Sequence, residues 1–184
     1  MLREDFADLL ARAQGGDEVA FSRLWADLNP ALLRYLRLEP GRSAEDLAAE
    51  TWVSVVKGLS RFRGDETAWR AWVFTTARRR ALDEARRRSR RPRSVTVDAL
   101  GDLPAPEPTD DDVADALALL ALLPAAQAEV IALRVIAGLP VDTVAALVGR
   151  TPGAVRVAAH RGLRTLAREL GGRGAVPGPA QHTV

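Results

Sequence analysis

The sequence predicts an all-α protein: two small helical domains joined by a flexible acidic linker, the C-terminal one with a helix-turn-helix. Three observations carry that expectation. Alanine, leucine and arginine dominate, whereas β-branched runs bounded by turn signals are scarce. Apolar residues recur at three- and four-residue intervals through most of the chain. Charge is also segregated: the net is only +2, yet Arg78 to Arg93 holds nine arginines against Asp83 and Glu84. Ser94 to Asp115 then carries seven acids and no base, interrupted by Pro104, Pro106 and Pro108. From Arg150 to Arg173, six arginines face the single acid Glu169. One such block alone is as well explained as a solvated helix face. Two blocks flanking an acidic strap point to two nucleic-acid-binding modules on a tether. The expected boundaries are 1–92, a linker over 93–111 too polar to fold alone, 112–172, and a disordered tail over 173–184.

Composition narrows the class further. Hydrophobic residues at 47% and charged residues at 27% suit a globular chain. The absence of cysteine excludes disulfides, zinc ribbons and thiol catalysis. The start MLREDFADLL is amphipathic and acidic, and no run of 18 apolar residues occurs, so a soluble cytoplasmic protein without membrane insertion is expected. Lys57 is the only lysine; arginine's planar fork suits phosphates and guanine edges, although heavy arginine use also follows from a GC-rich genome.

In the first domain, Phe6, Leu9, Leu10 and Ala13 form a stripe that Gly15-Gly16 ends. Asp17 can cap a helix bearing Phe21, Leu24, Trp25 and Leu28, and Asn29-Pro30 is expected to restart one with Leu32, Leu33 and Leu36. Ser43 to Asp46 resembles a capping box. Leu47, Thr51, Val55 and Leu59 then share a face, with Trp52 and Val56 beside them. Glu45, Asp46 and Glu50 make an acidic ridge on the flank. It serves either the helix dipole or a partner.

After the loop SRFRGDE, a long helix from about Thr67 to Arg90 carries Trp69, Trp72, Val73, Thr76 and Ala77, then the arginine block. Interleaved aromatics and arginines suit single-stranded DNA, where rings stack on bases at about 1–3 kcal/mol each. Most of the tryptophans are nonetheless expected in the core, which a domain of this size needs.

In the second domain, Val113, Leu117, Leu120 and Leu123 give one helix, and Pro124 opens another with Val130, Leu133 and Ile136 that Gly138 ends. A short helix over Val141–Val148 stops at Gly149; Thr151 caps the next and Pro152 takes its first position. Helix, three-residue turn and helix make the helix-turn-helix. Val155, Ala159, Leu163, Leu166 and Leu170 are expected inside. Arg156, Val157, His160, Arg161 and Arg164 lie opposite, on the face that enters a major groove in such motifs; His160 alone reads equally as a surface histidine.

With both domains in place, the chain resembles the sigma factors of the extracytoplasmic-function (ECF) type along almost its whole length. SAEDLAAETWVSVVKGLSRF is similar to the family's helix that docks on the clamp helices of the polymerase's largest subunit. WRAWVFTTARRRALDEARRRSRR is similar to its segment for the minus-ten element, and DALALLALLPAAQAEVIALRVIAGL with the helix-turn-helix to its minus-thirty-five module. The resemblance implies core RNA polymerase (clamp helices and flap region) and promoter DNA as partners, no cofactor, and often an anti-sigma factor. It assigns Glu45, Asp46 and Glu50 to docking. Arg63, Gly64 and Asp65 go to the loop that captures a flipped base, and Trp72, Arg78, Arg79 and Asp83 to the promoter helix. Thr151, Arg156, Val157, His160, Arg161 and Arg164 fall to the minus-thirty-five reader. The acidic linker would thread toward the polymerase's active-site cleft and RNA exit path, as a stand-in for nucleic acid.

Two positions depart from the family. Arg79 stands where asparagine is frequent, exchanging a reader of base edges for a phosphate contact. Val157-Ala158 stand where serine and arginine are frequent, leaving either fewer upstream contacts or a thymine methyl read through Val157.

Two rival readings remain. A helix-turn-helix regulator acting without polymerase leaves the tryptophan–arginine helix unexplained. A metal-dependent nuclease would need a preorganised site, whereas Asp110-Asp111-Asp112 falls in the expected flexible linker and only His160 and His182 are available.

Overall fold

The structure, a computed structural model, describes residues 6–39, 42–90 and 111–173. Every regular element among them is helical. The linker expected over 93–111 lies, but for Asp111, outside the described residues, and so does the tail over 173–184, but for Arg173.

Helix α1 (Phe6–Gln14) buries the predicted stripe Phe6, Leu9, Leu10 and Ala13. It ends at Gly16, whose φ of 94° places it in the left-handed region that glycine adopts without penalty. Asp17 then caps α2: its carboxylate accepts the N–H of Val19 at 2.9 Å and of Ala20 at 3.0 Å, and Arg12 pairs with it at 2.6 Å. Those backbone donors, Ala20 first, and Arg12 hold the Asp17 carboxyl below its ordinary pKa.

Helix α2 runs unbroken over Glu18–Leu36, with Pro30 inside it. This corrects the expected break at Asn29-Pro30. Proline removes one hydrogen bond and costs about 3 kcal/mol in a helix interior. The stripe Ala20, Leu24, Leu28, Leu32, Tyr35 and Leu36 is buried from end to end, and that burial outweighs the penalty.

Helix α3 (Ala44–Leu59) starts at Ser43, whose Oγ accepts the Asp46 N–H at 3.2 Å. Its underside of Leu47, Thr51, Trp52, Val55 and Leu59 meets α4 (Glu66–Arg90). Gln14 ties α1 to the end of α3 by donating to the carbonyls of Leu59 and Phe62 at 2.9 and 2.8 Å.

In the C-terminal half, α5 (Asp111–Ala121) precedes α6 (Ala125–Ile131), which widens into a π-helical turn over Ala132–Ile136. Gly138 (φ 68°) ends it as expected. Helix α7 (Val141–Val148) closes on Gly149 at φ 69°, ψ 39°, and α8 (Pro152–Arg173) follows a turn of Gly149, Arg150 and Thr151.

The register of α8 differs from the expected one. Val155 and Gly162 are buried, Ala159 and Leu166 are half-buried, and Leu163 is 51% exposed and Leu170 54%. At about 100° per residue, Gly162 lies within about 20° of Val155, whereas Leu163 lies about 80° away. A Cβ at Gly162 would stand 2.5 Å from Ile131 Cδ1 and 3.3 Å from Leu123 Cδ1, so the missing side chain lets α8 approach α6 closely.

The two halves are packed together. Val130, Leu133, Ala137 and Leu139 join the buried residues of α1–α4 in one cluster, and Leu38 from the end of α2 packs on Leu120, Leu123, Ala128 and Ile131.

Asp17→Ala is expected to lower the melting temperature at neutral pH, with the gap to wild type closing in acid. Its folded pKa lies below the unfolded one. The contribution is therefore complete above the ordinary carboxylate range and is lost as pH falls through the folded value. Thermal unfolding across acid buffers measures the gap, and a constant gap contradicts the assignment. Gly149→Ala is expected to cost about 1–2 kcal/mol by forcing a Cβ into the left-handed region, read by urea unfolding.

Candidate nucleic-acid and docking interfaces

The acidic ridge divides in two. Glu45 is exposed; it accepts the Ser43 hydroxyl at 2.8 Å and lies 3.6 Å from Arg37, and these, the hydroxyl first, lower its pKa. Asp46 is exposed, with Arg42 at 3.9 Å. Glu50 instead turns to α4: Arg42 binds it at 2.6 Å and Arg80 at 2.8 Å, lowering its pKa, while Arg80 also donates to Ser54 Oγ. The ridge thus has an outward part, Glu45 and Asp46, and a residue that braces two helices.

Sequence reasoning missed the apolar continuation of that ridge. Val53 and Val56 are each 52% exposed, and eleven residues on from Glu45 puts Val56 within about 20° of it around α3. Val56 had been expected beside the buried stripe; helical phase from Glu45 was the signal that could have placed it outside. Trp25, expected on the apolar stripe of α2 with Phe21, Leu24 and Leu28, is instead 42% exposed.

The loop between α3 and α4 is held by its own residues. Arg63 donates to the carbonyls of Ser60 at 2.9 Å and Phe62 at 2.6 Å. Gly64 has φ 155°, and a Cβ there would stand 2.7 Å from Ala68 Cβ. Asp65 caps α4, its Oδ1 accepting the Ala68 N–H at 2.8 Å. Two of the four tryptophans, Trp52 and Trp69, lie in the core, fewer than expected. Trp52 donates from Nε1 to Asn29 Oδ1 at 2.9 Å. Trp72 is half-buried and stacks on Phe62 with centroids 5.0 Å apart and planes 14° from parallel. That pair is a preformed aromatic face beside the loop.

On α4, the helix rotates the candidate arginines into different surroundings. Arg79 is exposed and makes no ion pair among the described residues. Asp83, also exposed, pairs with Arg86 at 3.2 Å. Arg78 is committed elsewhere: its Nε donates to Glu129 Oε1 at 2.6 Å, across to α6, with Nη2 3.5 Å from the other oxygen. That hydrogen bond, above all, raises the Arg78 pKa.

The second basic face is open. Thr151 caps α8 by accepting the Ala154 N–H at 3.2 Å. Arg156, Val157, His160, Arg161 and Arg164 are all exposed, opposite buried Val155, and Arg150 in the preceding turn extends the face. Buried Val144, Ala145 and Val155 join α7 to α8 and fix the angle at which that face is presented.

Among the described residues, no group of three or more histidines or acids could hold a metal ion, and no helix is long and apolar enough to cross a membrane. The side chains of Asp110, Asp111 and Asp112 lie outside the described residues.

Known proteins match both halves. Residues 24–91 match Sigma-70 region 2 and residues 114–166 match Sigma-70, region 4. The chain is 37% identical over 174 residues to the ECF RNA polymerase sigma factor ShbA of Streptomyces griseus, covering 86% of this chain and 91% of that protein. It is 33% identical over 175 residues to the ECF sigma factor SigD of Mycobacterium tuberculosis, covering 88% of this chain and 82% of that one. In fold it is similar to the sigma factor RpoE, solved with the anti-sigma factor NepR from Bartonella quintana. The TM-score is 0.64 at 24% identity, over 82% of this chain and 96% of that one.

Gly58→Ala tests how tightly the aromatic face is set. Its Cβ would stand 2.8 Å from Trp72 Cζ2, against a ring that packs on Phe62. A loss of about 1–3 kcal/mol from overpacking is expected, together with a changed tryptophan emission. Unaltered stability and emission would show that Trp72 is free to move.

Proposed function

This chain belongs to the ECF RNA polymerase sigma factors, and from that membership we propose how its surfaces divide the work of starting transcription. It is a sigma factor: it binds core RNA polymerase, directs it to specific promoters and promotes their opening. In the proposed division, Glu45 and Asp46, continued by Val53 and Val56, dock on the polymerase clamp helices, with Glu50 bracing the ridge against α4. Arg63, Gly64 and Asp65 form the loop beside which a base leaves the stack, and Trp72 on Phe62 offers it an aromatic face. Arg78 and Arg79 take minus-ten phosphates, with Asp83 at the end of that surface. Thr151, Arg156, Val157, His160, Arg161 and Arg164 meet the minus-thirty-five major groove.

The single observation behind this division is that one chain carries an exposed acidic ridge on α3, a half-buried aromatic pair beside the α3–α4 loop and an exposed basic face on α8. Opening about ten base pairs costs on the order of 10–15 kcal/mol. The chain carries out no chemistry to supply that. Capture of unpaired bases returns part, and two modules riding on one polymerase raise each other's effective concentration. The same reading places the protein in the cytoplasm, with an anti-sigma partner as is common in the family. A helix-turn-helix regulator without polymerase is the disfavoured alternative, because it gives no task to the α3 ridge or to the aromatic face.

Glu45→Lys with Asp46→Lys is expected to abolish binding to core polymerase while leaving helicity unchanged. Wild-type affinity in a pull-down with purified core would overturn the docking assignment. Run-off transcription is expected only with core enzyme present. Arg156→Ala with Arg161→Ala should reduce it several-fold on promoters that keep a minus-thirty-five element. Promoter binding by the holoenzyme should fall steeply with salt, log affinity against log concentration being linear.

A further inference from the structure

The exposed residues of α3 are Glu45, Asp46, Ala49, Val53, Val56 and Lys57. They form a single stripe. Val53 and Lys57 stand seven and eleven residues beyond Asp46, each within about 20° of it around the helix axis, and Val56 stands likewise to Glu45. Along about 16 Å of axis the stripe passes from two carboxylates, through alanine and two valines, to one ammonium. The acids at its head have cations in reach, Arg37 at 3.6 Å from Glu45 and Arg42 at 3.9 Å from Asp46. Lys57 makes no ion pair among the described residues.

Lys57 is also the only lysine among the 26 lysines and arginines of the chain. A cation in the last turn suits the helix dipole, but arginine meets that need equally and fills every other such position. What arginine does not share is nucleophilicity. A guanidinium stays protonated, whereas a lysine ammonium can release a proton and attack a carbonyl carbon. The chain's one side-chain amine therefore stands exposed and unpaired on the face assigned to polymerase.

We propose that Lys57 is a modification site: an acyl group transferred to its Nε switches off docking on the polymerase. The donor is an acyl thioester. The neutral amine attacks the thioester carbonyl, and the C–N bond forms as the C–S bond breaks. The thiolate leaves with that bond's electron pair and takes up the proton that nitrogen loses, so nothing is oxidised or reduced. The product amide is uncharged, and the stripe keeps its acids and valines but loses its one cation. A carboxylate of the polymerase, desolvated against that amide, then lacks a counter-charge. Docking and acylation also compete, because a partner seated on Val53 and Val56 covers the amine beside them. The proposal rests on the assignment of the α3 ridge to polymerase docking.

The test uses the full-length chain acetylated only at Lys57, made by incorporating the modified amino acid at a reassigned stop codon. Its affinity for purified core polymerase should be about tenfold below that of the unmodified chain, with unchanged helicity by circular dichroism. Lys57→Gln, which also removes the charge, should weaken binding in the same direction. In chain recovered from its own cells across growth and starvation, peptide mass spectrometry should find an acyl group on Lys57 in the polymerase-free pool and not in the polymerase-bound pool. Wild-type affinity of the acetylated chain, or an acyl group absent from both pools or equal in the two, would overturn the proposal. Glu45→Lys with Asp46→Lys separates this outcome from the docking assignment. Loss of core binding in that double variant, with none on acetylation, overturns the switch alone; wild-type binding there overturns the docking assignment and the switch with it.

Discussion

An arginine-rich helix can be held in place only by whatever apolar face it retains, and the architecture depends on how α4 is seated. Its inner residues, Trp69, Val73, Phe74, Ala77 and Ala81, are buried, and all lie in the first two thirds of the helix. Trp69 touches the rings of Phe6, Trp52, Phe62 and Trp72, so α1, α3 and the α3–α4 loop converge on one side chain. Rings in tilted and edge-on arrangements resist sliding better than aliphatic contacts, because their quadrupoles as well as their shapes prefer one geometry. That seat lets the later turns of α4 project an arginine surface without collapsing onto it.

The arginines along α4 then differ by depth. Arg70, near the seat, lies 3.5 Å from Asp27 and 3.6 Å from Glu66; Arg78 holds Glu129, and Arg80 holds Glu50. Arg79, one residue away on the exposed side, and the arginines beyond Asp83 face solvent. In these half-buried pairs each carboxylate fixes a guanidinium's position, and removing either partner would leave the other charge uncompensated. Their effect here is orientation. Carboxylates from three other helices, α2, α3 and α6, fix where the half-buried guanidiniums sit, and leave the outermost ones to be claimed by a polyanion.

Much of this was legible in the sequence wherever the signal was local. Thr151-Pro152 and Gly149 marked the turn of the helix-turn-helix because capping and left-handed geometry are properties of a few adjacent residues. Asp17 and Ser43 announced helix starts for the same reason. The failures were tertiary. Pro30 reads as a breaker until the burial of the stripe on both sides is known. Gly162 reads as a weak helix residue until Ile131 is found 2.5 Å from where its Cβ would be. No local pattern marks Glu129, 51 residues from Arg78, as its partner. An acid on an otherwise apolar helix was a faint sign that something basic had to approach it.

Glu50 joins the docking ridge to the promoter helix, because one carboxylate accepts from Arg42 at the head of α3 and from Arg80 on α4. With the tryptophan seat beneath it, this makes α3 and α4 a stiff corner, not two independently hinged surfaces. A partner that grips α3 therefore also sets the direction in which Arg79 and Trp72 face. Helices α5–α8 meet that corner along a buried seam, where Val130, Leu133, Ala137 and Leu139 share one cluster with α1–α4 and Leu38 and the Arg78–Glu129 pair stand beside it. A fixed relation between the α3 ridge and the aromatic face of Trp72 on Phe62 suits a protein that must hold one position on a large machine while meeting DNA.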